Sequence, residues 1–358
     1  MLGWCHSGSS PWLDRMQNLQ KTTIAMQPGS FDVAPPSRGQ PALLGGGGTP
    51  RRRLARRQRF ASIALLFGCA LATCHPVVSE SIPTSSKRSG ANAWAIKWQP
   101  AKLVNGSPVV FQVVPPTRLT GLSAKWLEHE VFFTYDTANK TWYGIAGVSL
   151  ETHSGVYPLE LKGTTSRGTE ISFVRKFAIR RAKYPSVAVT VSKRFTEPSP
   201  EQLEHIRQDK TVKQDVFRQT NPKREWLGKF RPPVDAHISD VFGARRTFNG
   251  KVQSMHQGLD YAVPQGTPIS AANAGTVLLA SPLYFEGNCV VIDHGQGLLT
   301  LYLHMSEIKV RAGERVESGQ EIGLSGGTGR ATGPHLHMAV RWEGVYLNPA
   351  TLLTLKLP

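Results

Sequence analysis

The stretch Thr332-Gly333-Pro334-His335-Leu336-His337 constrains this chain more than any other. Gly333-Pro334 marks a turn, and Met338-Ala339-Val340-Arg341-Trp342 continues as a strand-forming run. Side chains alternate along a strand, so His335 and His337 project from the same face. Two imidazoles side by side on a stiff element suit a metal site, one as ligand and its neighbour handling protons. For an isolated pair, a surface strand carrying two polar residues is the simpler reading. The rest of the chain changes that balance.

A chain of 358 residues is long enough for two domains with full cores. Its 34 glycines, set among short runs of Val, Ile, Thr and Tyr, indicate a mainly β protein. The formal charge is +17; nine of the 42 basic and two of the 25 acidic residues precede residue 75, which leaves +10 on the remainder. A basic surface suits an anionic partner such as nucleic acid, anionic lipid or wall polymer. No helix-turn-helix, zinc-finger or RNP pattern favours nucleic acid, and none is expected as a partner. Of the four cysteines only Cys289 lies in the expected mature part. Inside Cys289-Val290-Val291-Ile292 it reads as a small buried hydrophobe, and no disulfide framework is needed.

Residues 1–50 contain Gly45-Gly46-Gly47-Gly48, scattered prolines and no hydrophobic period, which reads as a disordered or mis-annotated leader. The basic run Arg51 to Arg59, the apolar run Phe60 to Ala72 and the box Ala70-Leu71-Ala72 make residues 51–74 a secretory signal. Its distance from Met1 suggests a true start downstream. Cleavage near Ala72 ranks first, an uncleaved anchor second and a lipid anchor at Cys69 third, and the apolar run is short for a spanning helix. An exported protein of the periplasm or cell envelope is expected, with membrane association through this segment left open.

A Ser/Pro linker (75–92) precedes strand-and-turn sequence. Val109–Val114, Glu130–Tyr135, Trp142–Ala146, Tyr157–Leu161, Glu170–Val174 and Val187–Val191 are spaced as in a small antiparallel β-sandwich over 93–194. No catalytic constellation lies in it; His129 and His153 read as turn or surface residues. Ser199-Pro200-Glu201-Gln202 then predicts a capped helix within a connector, 195–235. From 236 to 358 glycine density rises and strands return. His256 and Asp260, four apart on an extended segment, face the same way; His304 ends another strand; His335 and His337 complete the set. Catalytic zinc takes three N or O ligands and leaves a position for water. Four histidines and one aspartate allow that, with two histidines left for acid–base work.

The order and spacing of these blocks resemble the M23 family of zinc metallopeptidases, the lysostaphin and LytM type that cleave peptidoglycan peptides. The blocks are Ser239 to Arg246, His256 to Pro268, Gly287-Asn288, Val291 to Gly295, Tyr302-Leu303-His304, Gly319 to Gly323, Thr328-Gly329, Thr332 to His337 and Asn348-Pro349. The β-rich region before them more loosely resembles an accessory domain that precedes some M23 domains. The resemblance implies an antiparallel β-sheet peptidase domain holding one Zn²⁺ per chain through His256, Asp260 and His337. It makes His304 and His335 the non-ligand histidines, one taking a proton from water and one donating to the oxyanion. Which does which is open, as are the scissile bond, pentaglycine or D-Ala–diaminopimelate, and the oligomeric state.

A peptidoglycan peptide is the expected substrate. The alternative is a non-catalytic wall-binding regulator of amidases, which the presence of all five residues argues against. A lipoyl or biotinyl carrier is suggested by the hairpin texture of Val310 to Gln320, but no lysine sits at a turn nearby. Arg245 and Arg246 are open to contact with acidic wall peptide or to structural ion pairs, and the β-domain to service as a cover for the cleft.

Overall fold

The structure, a computed structural model, describes residues 93–358 except Thr220 and Lys251. The leader, signal and linker expected over 1–92 lie outside these residues. Two sheets form the first part. Ala95–Gln99, Pro108–Val114, Thr141–Gly147 and Thr134–Asp136 make a four-stranded sheet, and five strands centred on Gly155–Thr165 make the other. Their inner faces bury Phe111, Trp126 and Phe177, whose rings meet at 5.4–5.7 Å. Aromatic burial of this kind is the main source of cohesion in a two-sheet domain.

The second part is an antiparallel sheet in the order Ile238–Asp240, Gly258–Tyr261, Leu336–Trp342, Leu298–Met305, Gly287–Asp293, Gly275–Leu283, Arg315–Val316; Val345–Leu347 also pairs with Leu336–Trp342. The two parts share one apolar core. Leu347 packs against Gly147, the His129 ring meets Trp342 at 5.4 Å, and Gln296 donates to Thr134 and to the Tyr143 carbonyl. His129 is therefore half-buried at this junction.

Two features tie the preceding sequence to the second part. The helix Pro200–Phe217 is capped by Ser199 and Gln202 reciprocally, as the sequence pattern predicts. Its Val212, Val216 and Phe217 lie on the sheet face formed by Leu279, Val291, Leu301 and Ala339. The strand Ser186–Val189, expected to end the sandwich, instead pairs in parallel with Arg245–Phe248. A parallel partner sixty residues away leaves no local turn signal, so spacing alone assigns that strand to its sequence neighbours.

Candidate metal centre and active-site cleft

Three strands position the site. Leu336–Trp342 is central, and its His337 pairs with Asp260 on one side and Leu303 on the other. Directly paired residues of a ladder project to one face, so Asp260 and His337 emerge together. His256 lies just before the Gly258 strand, fixed by backbone bonds to Gly243 and Ala244. Gly258 lets the His337 ring lie against the neighbouring backbone: a Cβ there would fall 2.4 Å from His337 Nε2 and 2.5 Å from the Met338 carbonyl oxygen.

His304 reaches the same face by a different device. Leu303 faces the cleft opposite His337, so strict alternation would turn His304 away. One extra residue is accommodated here, between the pairs Val290–Tyr302 and Asn288–Met305, and His304 takes φ +64°. This bulge with a left-handed residue returns its ring to the cleft. The ring centroid lies 4.8 Å from that of His335 and 6.0 Å from that of His337.

The donor atoms of His256, Asp260 and His337 converge. His256 Nε2 is 3.1 Å from Asp260 Oδ1 and 3.1 Å from His337 Nδ1, and His337 Nδ1 is 2.7 Å from Asp260 Oδ1. Ligands of a tetrahedral zinc with bonds of about 2.0 Å stand about 3.3 Å apart, so this triangle fits the ion with little adjustment. The tautomers fit too. His256 Nδ1 donates to the Val241 carbonyl at 2.8 Å, which leaves Nε2 with a lone pair inward. Two nitrogen acceptors and a carboxylate directed at one point suit a cation. Arg246 holds the other oxygen of Asp260 at 2.5 Å and also binds Asp240, which fixes the carboxylate with Oδ1 inward.

Burial opposes the charge of Asp260, but bonds with the His256 and His337 rings outweigh it and hold the carboxyl far below its usual range. Burial lowers the pKa of His337 despite the neighbouring Asp260. His304 is pushed down to about 3, first by burial and then by His337 and His335. It donates through Nδ1 to the Thr328 carbonyl at 2.8 Å, so Nε2 is the free acceptor. His335, half-buried at the rim, donates through Nδ1 to the Gly333 carbonyl at 2.8 Å.

All five sequence-predicted site residues line one cleft. His294, at the hairpin turn between Gly287–Asp293 and Leu298–Met305, is wholly buried. It bonds the Ala274 carbonyl at 2.7 Å and Thr300 at 2.8 Å, and burial pushes it down to about 4. Cys289 is buried with its thiol pKa raised by desolvation, an inert core residue. Arg245 is exposed, while Arg246 is the structural ion-pair partner of Asp240 and Asp260. Two cleft features were not foreseen: the Lys213–Glu286 ion pair at 2.5 Å and Arg330 lying between two phenylalanines. Neither has a sequence signature, because the partners lie 45 to 82 residues apart.

A triangle of three donor atoms beside two further imidazoles in a β-sheet cleft has the make-up of a metal-dependent hydrolytic site. Residues 254–349 match the model of peptidase family M23. It is similar to the peptidoglycan DD-endopeptidases ShyC and ShyA of Vibrio cholerae, at 45% identity over 125 residues and 47% over 121. Those alignments cover 34% and 33% of this chain and 29% and 28% of the relatives. The DD-carboxypeptidase/endopeptidase Mpg of Neisseria meningitidis is 40% identical over 121 residues, 34% of this chain and 28% of its own. The chain thus spans under a third of the length of these curated relatives. A putative M23 peptidase structure from Pseudomonas aeruginosa is similar over 70% of this chain and 95% of its own, with 29% identity and a TM-score of 0.55.

Proposed function

We propose that the protein is an exported zinc metallo-endopeptidase that hydrolyses peptide cross-links of peptidoglycan in the cell envelope. The observation that carries this is the convergence of His256 Nε2, Asp260 Oδ1 and His337 Nδ1 beside two further imidazoles in an open cleft. Relatives named as peptidoglycan DD-endopeptidases support the substrate class. His256, Asp260 and His337 hold the metal. Zinc there supplies Lewis acidity at the scissile carbonyl and lowers the pKa of water.

The remaining chemistry belongs to the other two histidines. His304 is desolvated and stays neutral, and its Nδ1–H is tied to Thr328, so Nε2 accepts a proton from the attacking water. The water oxygen bonds the carbonyl carbon, the carbon–nitrogen bond breaks, and the proton passes to the leaving nitrogen. His335, the more solvated ring at the rim, is the group assigned to the developing oxyanion. Among the described residues no helix is long and apolar enough to cross a membrane.

The test is release of muropeptides with new amino termini by the full chain and by His337→Ala, alongside bound zinc. Zinc and cleavage in the wild type, both lost in the variant, are expected. Zinc binding with no cleavage of any cross-linked peptidoglycan would overturn the enzymatic reading.

A further inference from the structure

Six carboxylate, ammonium and guanidinium side chains line the cleft: Lys213, Asp240, Arg246, Asp260, Glu286 and Arg330. Five have ion-pair partners. Arg246 bridges Asp240 and Asp260, and Lys213 pairs with Glu286. Arg330 has no ion-pair or side-chain hydrogen-bond partner among the described residues. Its guanidinium carbon lies 4.7 Å from the ring centroids of both Phe248 and Phe285. Its backbone N–H donates to the Phe285 carbonyl at 2.8 Å, which anchors the loop to the hairpin between Gly275–Leu283 and Gly287–Asp293.

Aromatic rings attract a guanidinium through its faces but offer no acceptor to its in-plane N–H groups. None of the Arg330 nitrogens is among the buried unpartnered atoms, so those donors meet the open cleft. Glu286 is the carboxylate that bears on Arg330. Burial lowers the Arg330 pKa, Glu286 raises it and Arg246 lowers it again. Glu286 is paired to Lys213 through Oε1, and its buried Oε2 has no hydrogen-bond partner. The cleft that His335 lines therefore also holds a pre-positioned, half-desolvated cation with no ion pair or side-chain hydrogen bond among the described residues.

We infer that Arg330 anchors a free carboxylate of the substrate peptide, on the carbon that carries the scissile nitrogen. This takes the cleft to be the peptide-binding surface of the function proposed above and narrows its substrate. A D-Ala–diaminopimelate cross-link has a carboxylate at that carbon, whereas the interior of a glycine bridge has none. A guanidinium held rigid by two rings binds a carboxylate through two parallel N–H groups with little loss of side-chain freedom.

The test uses the zinc-stripped full chain and two probes. One is a muropeptide dimer joined through D-Ala and diaminopimelate; the other is the same dimer with that carboxylate amidated. Binding is measured calorimetrically for wild type, Arg330→Gln and Arg330→Lys. Wild type is expected to bind the free acid at least about tenfold more tightly than the amide. Arg330→Gln should remove that preference while leaving affinity for the amide unchanged, and Arg330→Lys should restore part of it. Amide affinity is the control for folding, because a merely structural role would weaken both probes alike. Equal binding of both probes by wild type, parallel loss of both in Arg330→Gln, or no binding of either would overturn the inference. Hydrolysis of the same dimers by zinc-loaded protein is read separately. A preference in binding without cleavage would sink the proposed enzymatic function and leave the carboxylate anchor standing.

Discussion

Replacing Gly258 by alanine tests the geometry of the metal centre without removing a donor atom. The added Cβ would sit 2.4 Å from His337 Nε2, 2.5 Å from His337 Cε1 and 2.5 Å from the Met338 carbonyl oxygen. Ordinary contacts of these kinds begin at about 3.4 Å, so something must move by roughly 1 Å. The carbonyl is held in the ladder that pairs Gly258 with Ala339 and Leu259 with Met338, so the imidazole yields more easily. Metal sites tolerate displacements of about 0.2 Å in ligand distance. A shift several times larger should reduce zinc affinity by at least about 10- to 100-fold. The strain should lower the stability of the metal-free protein by about 1–3 kcal/mol. Chelator competition gives the zinc affinity, and urea unfolding of the metal-free protein gives the stability. Gly121→Ala is the control, since its Cβ would meet nothing within 4 Å. Wild-type zinc affinity in Gly258→Ala would refute the argument that this glycine seats the His337 ring.

Two further predictions concern the buried framework. His294 is held near pKa 4, below the ordinary unfolded value of about 6.5, so the unfolded chain binds the extra proton between these values. Its neutral form is stabilising above about pH 6.5, and about 3 kcal/mol is lost as pH falls through this window. Relative to His294→Gln, wild type should lose that stability on acidification in urea unfolding; a pH-independent difference would count against it. Leu347 fills the space over Gly147 at the junction of the two parts and is fully buried. Leu347→Ala should cost about 2–5 kcal/mol. Because the core is continuous, denaturant curves read by tryptophan fluorescence and by far-ultraviolet dichroism should move together; separate transitions would show that the two parts do not unfold as one unit.

The chain's strands were largely legible because hydrophobic runs, turns and glycines alternate at short range. The same holds for His335 and His337, whose spacing fixes a common face, and for the capped helix after Ser199. His304 was not legible from periodicity. Alternation turns it away from His337, and only the bulge and its left-handed backbone bring it round. Here the family resemblance supplied what local pattern could not. The isolation of Arg330 was also hidden, since an unpaired charge is a property of everything around it, including Phe248 on a distant hairpin. His294 sits at a hairpin turn, as Asp293-His294-Gly295 suggests, but its enclosure with both ring nitrogens satisfied comes from tertiary packing that no local pattern carries.

The central claim divides five residues into three ligands and two acid–base groups. Anomalous diffraction at the zinc edge, on crystals of the full chain grown with zinc, tests it most directly. One zinc bonded to His256 Nε2, Asp260 Oδ1 and His337 Nδ1 at about 2.0–2.2 Å, with His304 and His335 outside bonding distance, is predicted. Zinc bonded to His304 or His335 in place of one of those three, or no zinc at the triad at all, would contradict it.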